Sequence, residues 1–158
     1  MNNDKWSRWK KLFEEEILHS IPEFPGIYAF AIVNSNISGK PFSLRKEIKY
    51  FGMTNNSNGG LQTRLKQFKD TIDGKTPQHG GAERFLNDYK KGRKDLEKIL
   101  FVSVMPVKCD PCSNNADDLR KMGKVCELEY EYFARYVERF RRGLPKYNNK
   151  KGSPKIRR

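Results

Sequence analysis

Alternation of side-chain character is the clearest pattern along the chain. In the run Gly26-Ile27-Tyr28-Ala29-Phe30-Ala31-Ile32-Val33, an extended backbone puts Tyr28, Phe30 and Ile32 on one face. Ile27, Ala29, Ala31 and Val33 fall on the other. Pro25 precedes the run, and β-branched and aromatic residues fill it, so it predicts a strand. A shorter strand is predicted over residues 47–51, ended by Gly52. The residues between them, 34–41, are dense in Asn, Ser, Gly and Pro, which join the two strands as a β-hairpin. Each strand carries one tyrosine, Tyr28 and Tyr50. A third strand is predicted over residues 99–105; it is apolar on both faces except at Ser103, which predicts a central strand covered on both sides.

Three- and four-residue spacing marks the helices. Trp6, Trp9, Phe13 and Ile17 form a stripe that predicts an amphipathic helix over residues 4–19. Packing against the domain is the expected use of that stripe, with base stacking as the alternative. Leu61, Leu65, Phe68 and Ile72 predict a helix over 61–72, with Arg64 at the edge of its apolar face and Lys66 and Lys69 elsewhere on its surface. Phe85, Leu86 and Tyr89 predict another over 82–91, opened by His79-Gly80-Gly81. A long helix is predicted over 117–142, stopped by Gly143 and Pro145.

The long helix holds the most informative position. Projected at about 100° per residue, Val125, Glu129, Tyr132, Phe133, Tyr136 and Phe140 share one stripe. Glu127, Glu131 and Glu138 fall opposite, where acids normally sit. A carboxylate turned inward costs several kcal/mol unless it is paired or bound to a metal. Glu129 is therefore either the partner of a buried Arg or Lys, or a metal ligand.

Charge narrows the class of partner. The 158 residues carry 32 Lys+Arg against 19 Asp+Glu, a net +13, which favours a polyanion, most simply nucleic acid. A solvated basic surface or an acidic membrane are the alternatives. The chain shows no signal peptide, amphipathic anchor or spanning run, so an intracellular protein without a membrane partner is expected. Three cysteines argue against a complete disulfide framework. Cys109 and Cys112 have the spacing of half a zinc site, which Cys126 and His79 could complete only by chance of folding, and a reduced loop is the plainer reading. The segment 150–158 is basic, with Lys150, Lys151, Arg157 and Arg158, and reads as a flexible arm for a phosphate backbone.

Gly26-Ile27-Tyr28 followed by Tyr50-Phe51-Gly52 resembles the signature of the GIY-YIG nuclease superfamily, with Phe51 in place of the usual isoleucine. Helical Arg64, Glu129 on a later helix and Pro145-Lys146-Tyr147-Asn148 continue the superfamily order over residues 25–149. The resemblance implies an α+β fold, a three-stranded antiparallel sheet flanked by helices, in agreement with the strands and helices predicted above. Residues 1–24 would be a helical extension, 25–149 the nuclease domain and 150–158 the tail. It implies a DNA endonuclease hydrolysing phosphodiesters with one divalent metal, Mg²⁺ or Mn²⁺, held by Glu129 and several waters. Arg64 would grip the scissile phosphate. Tyr28 would take the proton of the attacking water, assisted by Tyr50, although the sequence does not decide which tyrosine acts. Asn148 would orient the site, and His79 resembles a histidine that some members place after the arginine helix. Lys66, Lys69 and the tail cations would contact DNA, and a homodimer is compatible with this reading. With no added zinc-finger array or helix-turn-helix, the chain resembles stand-alone restriction-type, phage or mobile-element members, hence a bacterial or phage origin.

Departures are specific. The Tyr28–Tyr50 and Tyr50–Arg64 spacings are long, Phe68 stands where many members carry histidine, and no lysine closely follows Tyr50. They motivate the alternative of a basic nucleic-acid-binding module that keeps the scaffold without the chemistry.

Overall fold

A computed structural model describes residues 5–75 and 79–148. Four strands form one antiparallel sheet: β1 (Lys10–Lys11), β2 (Gly26–Ile32), β3 (Ile48–Thr54) and β4 (Leu100–Pro106), in the order β1-β4-β2-β3. The helices are α1 (Gly60–Ile72), α2 (Gly80–Asp88), α3 (Arg93–Leu96) and α4 (Ala116–Phe140). The protein is α+β, and its sheet has four strands among the described residues, not three. The fourth comes from the N-terminal segment, where Lys10 pairs with Val102 and Lys11 with Phe101.

That pairing displaces the helix expected over residues 4–19. The described part of the segment holds β1, a turn and a 3₁₀ turn at Ile17–Ser20. Ser7 anchors it: its hydroxyl accepts from the Val104 N–H at 2.9 Å, and its carbonyl accepts from the Ser103 hydroxyl. The one polar residue of β4 is thus satisfied inside the fold. Trp9 and Leu12 are fully buried but belong to cores on opposite sides of the sheet, as the residues flanking a short strand can and one helix stripe cannot.

The alternation of β2 is realised on both faces. Tyr28 and Phe30 join Tyr50, Leu61, Leu65, Phe68, Ala82 and Phe85 in one core, under α1 and α2. Ile27, Ala29, Ala31 and Val33 join Phe51, Val125, Leu128, Tyr132 and Tyr136 in the other, under α4. β4 lies inside the sheet between β1 and β2 and is buried on both faces, as its apolar run predicts. Phe51 fills an aromatic cluster, with ring centroids 5.9 Å from Tyr132 and 6.3 Å from Trp6.

Two local expectations change. Gly52 does not end its strand, because β3 runs on to Thr54 and Gly52 sits opposite Tyr28 in register. On α4 the buried stripe is Val125, Leu128, Tyr132 and Tyr136. Leu128 takes the centre that the projection assigned to Glu129, and Glu129 and Phe133 are partly buried beside it. Glu127, Glu131 and Glu138 are exposed. The helix stops where Arg141 adopts a left-handed conformation (φ 52°), two residues before Gly143.

A cluster of two tyrosines, a histidine, an arginine and a glutamate

Tyr28 is fully buried, and its phenol leans across β3. A Cβ on Gly52 would lie 2.7 Å from Tyr28 Cε2 and nearer still to Cζ and Oη, so only glycine leaves the ring its place. Gly81 clears Tyr50 in the same way, since a Cβ there would stand 2.9 Å from Tyr50 Cζ. The two phenol rings are 6.1 Å apart between centroids. Both are buried, Tyr28 with no exposure and Tyr50 with 9%, so Tyr50 is the less completely enclosed.

His79 arrives from the N-terminus of α2 and is fully buried. Its Nε2 lies 3.0 Å from the Tyr28 oxygen. Its Nδ1 caps α2, accepting from the N–H groups of Gly81 at 3.0 Å and Ala82 at 3.3 Å. The His79 backbone N–H donates to Thr71 Oγ1 at 2.8 Å, which ties this residue to α1. Its ring meets Phe68 edge-on at 5.3 Å, so the histidine comes from α2 to the place Phe68 lines on α1. Burial first, then the nearby Arg64 cation, pull the His79 imidazole down to about 3, so it is neutral at ordinary pH.

Arg64 bonds Gln67 Oε1 at 3.1 Å, and its charge acts on the Tyr28 phenol. Burial raises Tyr28 well above the usual tyrosine range, the neighbouring Tyr50 adds to this, and Arg64 offsets part of it. Tyr50 is also raised, by burial first, with Arg64 and Arg84 pulling the other way. The Glu129 carboxylate pushes both phenols up. Glu129 comes from α4, packed on the other face of the sheet, and β3 is the edge strand around which such a side chain can approach the phenols. Tyr28, Tyr50, Arg64 and His79 therefore gather from β2, β3, α1 and the start of α2, and Glu129 on α4 acts on both phenols through its charge.

Asn148 has a different position. Its amide donates to the Phe51 carbonyl at 2.8 Å and accepts from the Phe51 N–H at 2.9 Å, pairing with the edge of β3 like one more strand residue. It fixes the backbone next to Tyr50 and makes no bond to either phenol among those described. Tyr147 docks the same turn on α2, its ring tilted against Phe85 at 4.1 Å between centroids and its hydroxyl donating to Asp88 Oδ2 at 2.6 Å. Arg84, which the sequence reading missed, donates to the Tyr147 carbonyl and adds a second cation beside Tyr50 and His79. No spacing rule marks it out; only the packing of α2 brings it there.

The remaining expected cations lie apart. Lys66 is exposed and pairs with Asp70 at 2.6 Å. Lys69 lies 5.8 Å over the Phe13 ring, and burial lowers its pKa. Lys150, Lys151, Arg157 and Arg158 lie outside the described residues. Among the described residues no group of three or more His, Cys, Asp or Glu could hold a metal, which leaves the Cys109–Cys112 loop without the ligands of a zinc centre. One carboxylate, such as that of Glu129, suits a hard cation that keeps most of its waters, such as Mg²⁺, and does not suit a cage-bound ion. No described helix is long and apolar enough to cross a membrane.

Comparison with protein-family models, with curated proteins and with solved structures finds no match.

Proposed function

We propose that this protein is a metal-dependent DNA endonuclease on a GIY-YIG-like scaffold. The gathering of Tyr28, Tyr50, Arg64 and His79 from four separate elements, with the Glu129 charge acting on both phenols from a fifth, supports the reading. These residues are far apart in sequence, and the resemblance names each of them independently of where the fold brings them. The net charge of +13 supports a polyanionic substrate.

Arg64 offers planar donors to a phosphate at the tyrosine pair. Its charge and that of Arg84 offset part of the burial that raises Tyr50, the less completely enclosed of the two phenols. A phenol held by these cations takes the proton of an attacking water as the water oxygen bonds to phosphorus and the 3′ oxygen leaves. Glu129 would hold the divalent cation, which supplies charge to the leaving oxygen and cancels the carboxylate's upward pull on both phenols. Asn148 keeps the Tyr50 backbone in register.

A second reading rests on the burial of Tyr28, which has no exposure and a raised pKa. A nucleic-acid-binding module without chemistry has no need of an accessible phenol. Incubation with supercoiled plasmid and Mg²⁺ separates the two. The nuclease nicks the plasmid and EDTA stops it; the module only binds, with log affinity falling linearly in log salt.

A further inference from the structure

The hydrogen bonds around His79 determine which of its nitrogens carries the proton. The two backbone N–H groups of Gly81 and Ala82 both point at Nδ1, at 3.0 and 3.3 Å. A protonated Nδ1 would set its own N–H against two donors, so Nδ1 holds the lone pair. A neutral imidazole carries one N–H, which must then sit on Nε2. That nitrogen lies 3.0 Å from the Tyr28 oxygen. The bond therefore runs from Nε2–H to the phenol oxygen.

We propose that His79 is a positioning residue that donates a fixed hydrogen bond to Tyr28 and never accepts its proton. The α2 N-terminus acts as the lock: as long as the helix is capped through Nδ1, the ring has no free lone pair facing the phenol. The proposal rests on the nuclease reading only for the effect on cleavage; the direction of the bond stands on the geometry. The groups that face the ring are Tyr28 from β2, Tyr50 from β3, Arg64 from α1 and Arg84 from α2. None is an acid that would favour a second proton on the ring, and both arginines oppose it. Loaded with a donor, the Tyr28 oxygen keeps its orientation, and its own proton points away from His79.

Two substitutions split the functions of the ring. Gln places a donor where Nε2 stands, and Asn places a cap acceptor where Nδ1 stands. The expected result is that His79→Gln cuts plasmid more than His79→Asn by on the order of 100-fold, the scale for one preorganised donor. The kcat profile of wild type and of His79→Gln should have the same acid limb. Nitrogen-15 NMR of the wild-type imidazole, assigned by its loss in His79→Gln, should show an Nε2–H tautomer that does not titrate from about pH 5 to 8. An Nδ1–H tautomer, a titrating ring, or a folded His79→Gln as impaired as His79→Asn overturns the proposal. If wild type cuts no DNA, the nuclease reading fails and the NMR tautomer alone decides the direction of the bond.

Discussion

A single methyl group on Gly52 should damage this protein, and the structure says by how much. The new Cβ would stand 2.7 Å from Tyr28 Cε2, where carbon atoms settle at about 3.5–4.0 Å. Tyr28 cannot yield easily, because Phe30 lies 5.3 Å from its ring, Tyr50 lies 6.1 Å away and the phenol is bonded to His79. Overpacking of this kind costs about 1–3 kcal/mol. If the ring moves off His79, a buried bond is lost for about 1–3 kcal/mol more. Gly52→Ala should therefore lose about 2–6 kcal/mol, a large share of the roughly 5–15 kcal/mol that holds a domain together. At about 2–4 °C per kcal/mol for a chain of this size, Tm should fall by roughly 4–24 °C. The control is the same change at Gly123, in α4, where a Cβ meets nothing within 4 Å. Gly123→Ala should raise stability by about 0.5–1 kcal/mol through helix propensity. Urea and thermal unfolding of both variants give the comparison. If Gly52→Ala is within about 0.5 kcal/mol of wild type, the scale of an innocuous surface change, Tyr28 does not lie across β3 as described.

Two further changes probe the supports of the site. Asn148→Ala strips both bonds from the Phe51 backbone, so it should cost about 1–3 kcal/mol and speed hydrogen exchange at the Phe51 amide; unchanged exchange would remove Asn148 as the closing residue of β3. His79 stays neutral in the fold down to about pH 3, whereas an unfolded histidine protonates below about pH 6.5, so the unfolded chain binds the extra proton between these values. Stability should then fall as pH falls through this window, by up to about 1.4 kcal/mol per pH unit from this group. Asp73 and Glu47, held below their usual range by hydrogen bonds from Arg93 and Arg45, lose their contributions only at lower pH. Urea unfolding from pH 6.5 to 5 should show the slope in wild type and a reduced slope in His79→Gln; equal slopes would refute the assignment.

The faces of β2 and the apolar stripe of α1 were legible because their signal is periodic and local. The N-terminal segment was not, because its structure depends on two residues pairing with a strand some ninety positions away. Trp6, Trp9, Phe13 and Ile17 have helical spacing, but that spacing says nothing about Lys10 meeting Val102. Gly52 was read as a stop because glycine usually interrupts strands; its use here is to let a ring from the next strand pass, which only register reveals. Glu129 was found for a partly mistaken reason. The projection put it at the centre of the apolar stripe, whereas Leu128 holds the centre and Glu129 the flank. The flank is the place from which a carboxylate can influence both phenols without being sealed in the core. Arg84 carried no signal at all, since its importance comes from α2 packing beside Tyr50.

The most direct measurement is plasmid cleavage by three proteins side by side: wild type, Glu129→Gln and Glu131→Gln. Glu131 lies two residues on, exposed and paired with Arg135 at 3.0 Å, and serves as the control acid on the same helix. With Mg²⁺, wild type and Glu131→Gln should nick supercoiled DNA and EDTA should stop both. Glu129→Gln should bind the same DNA and leave it intact at every Mg²⁺ concentration, because the amide keeps the size of the side chain and removes the charge a divalent ion needs. Cleavage by Glu129→Gln at the wild-type rate, or no metal-dependent cleavage by wild type, would contradict the account.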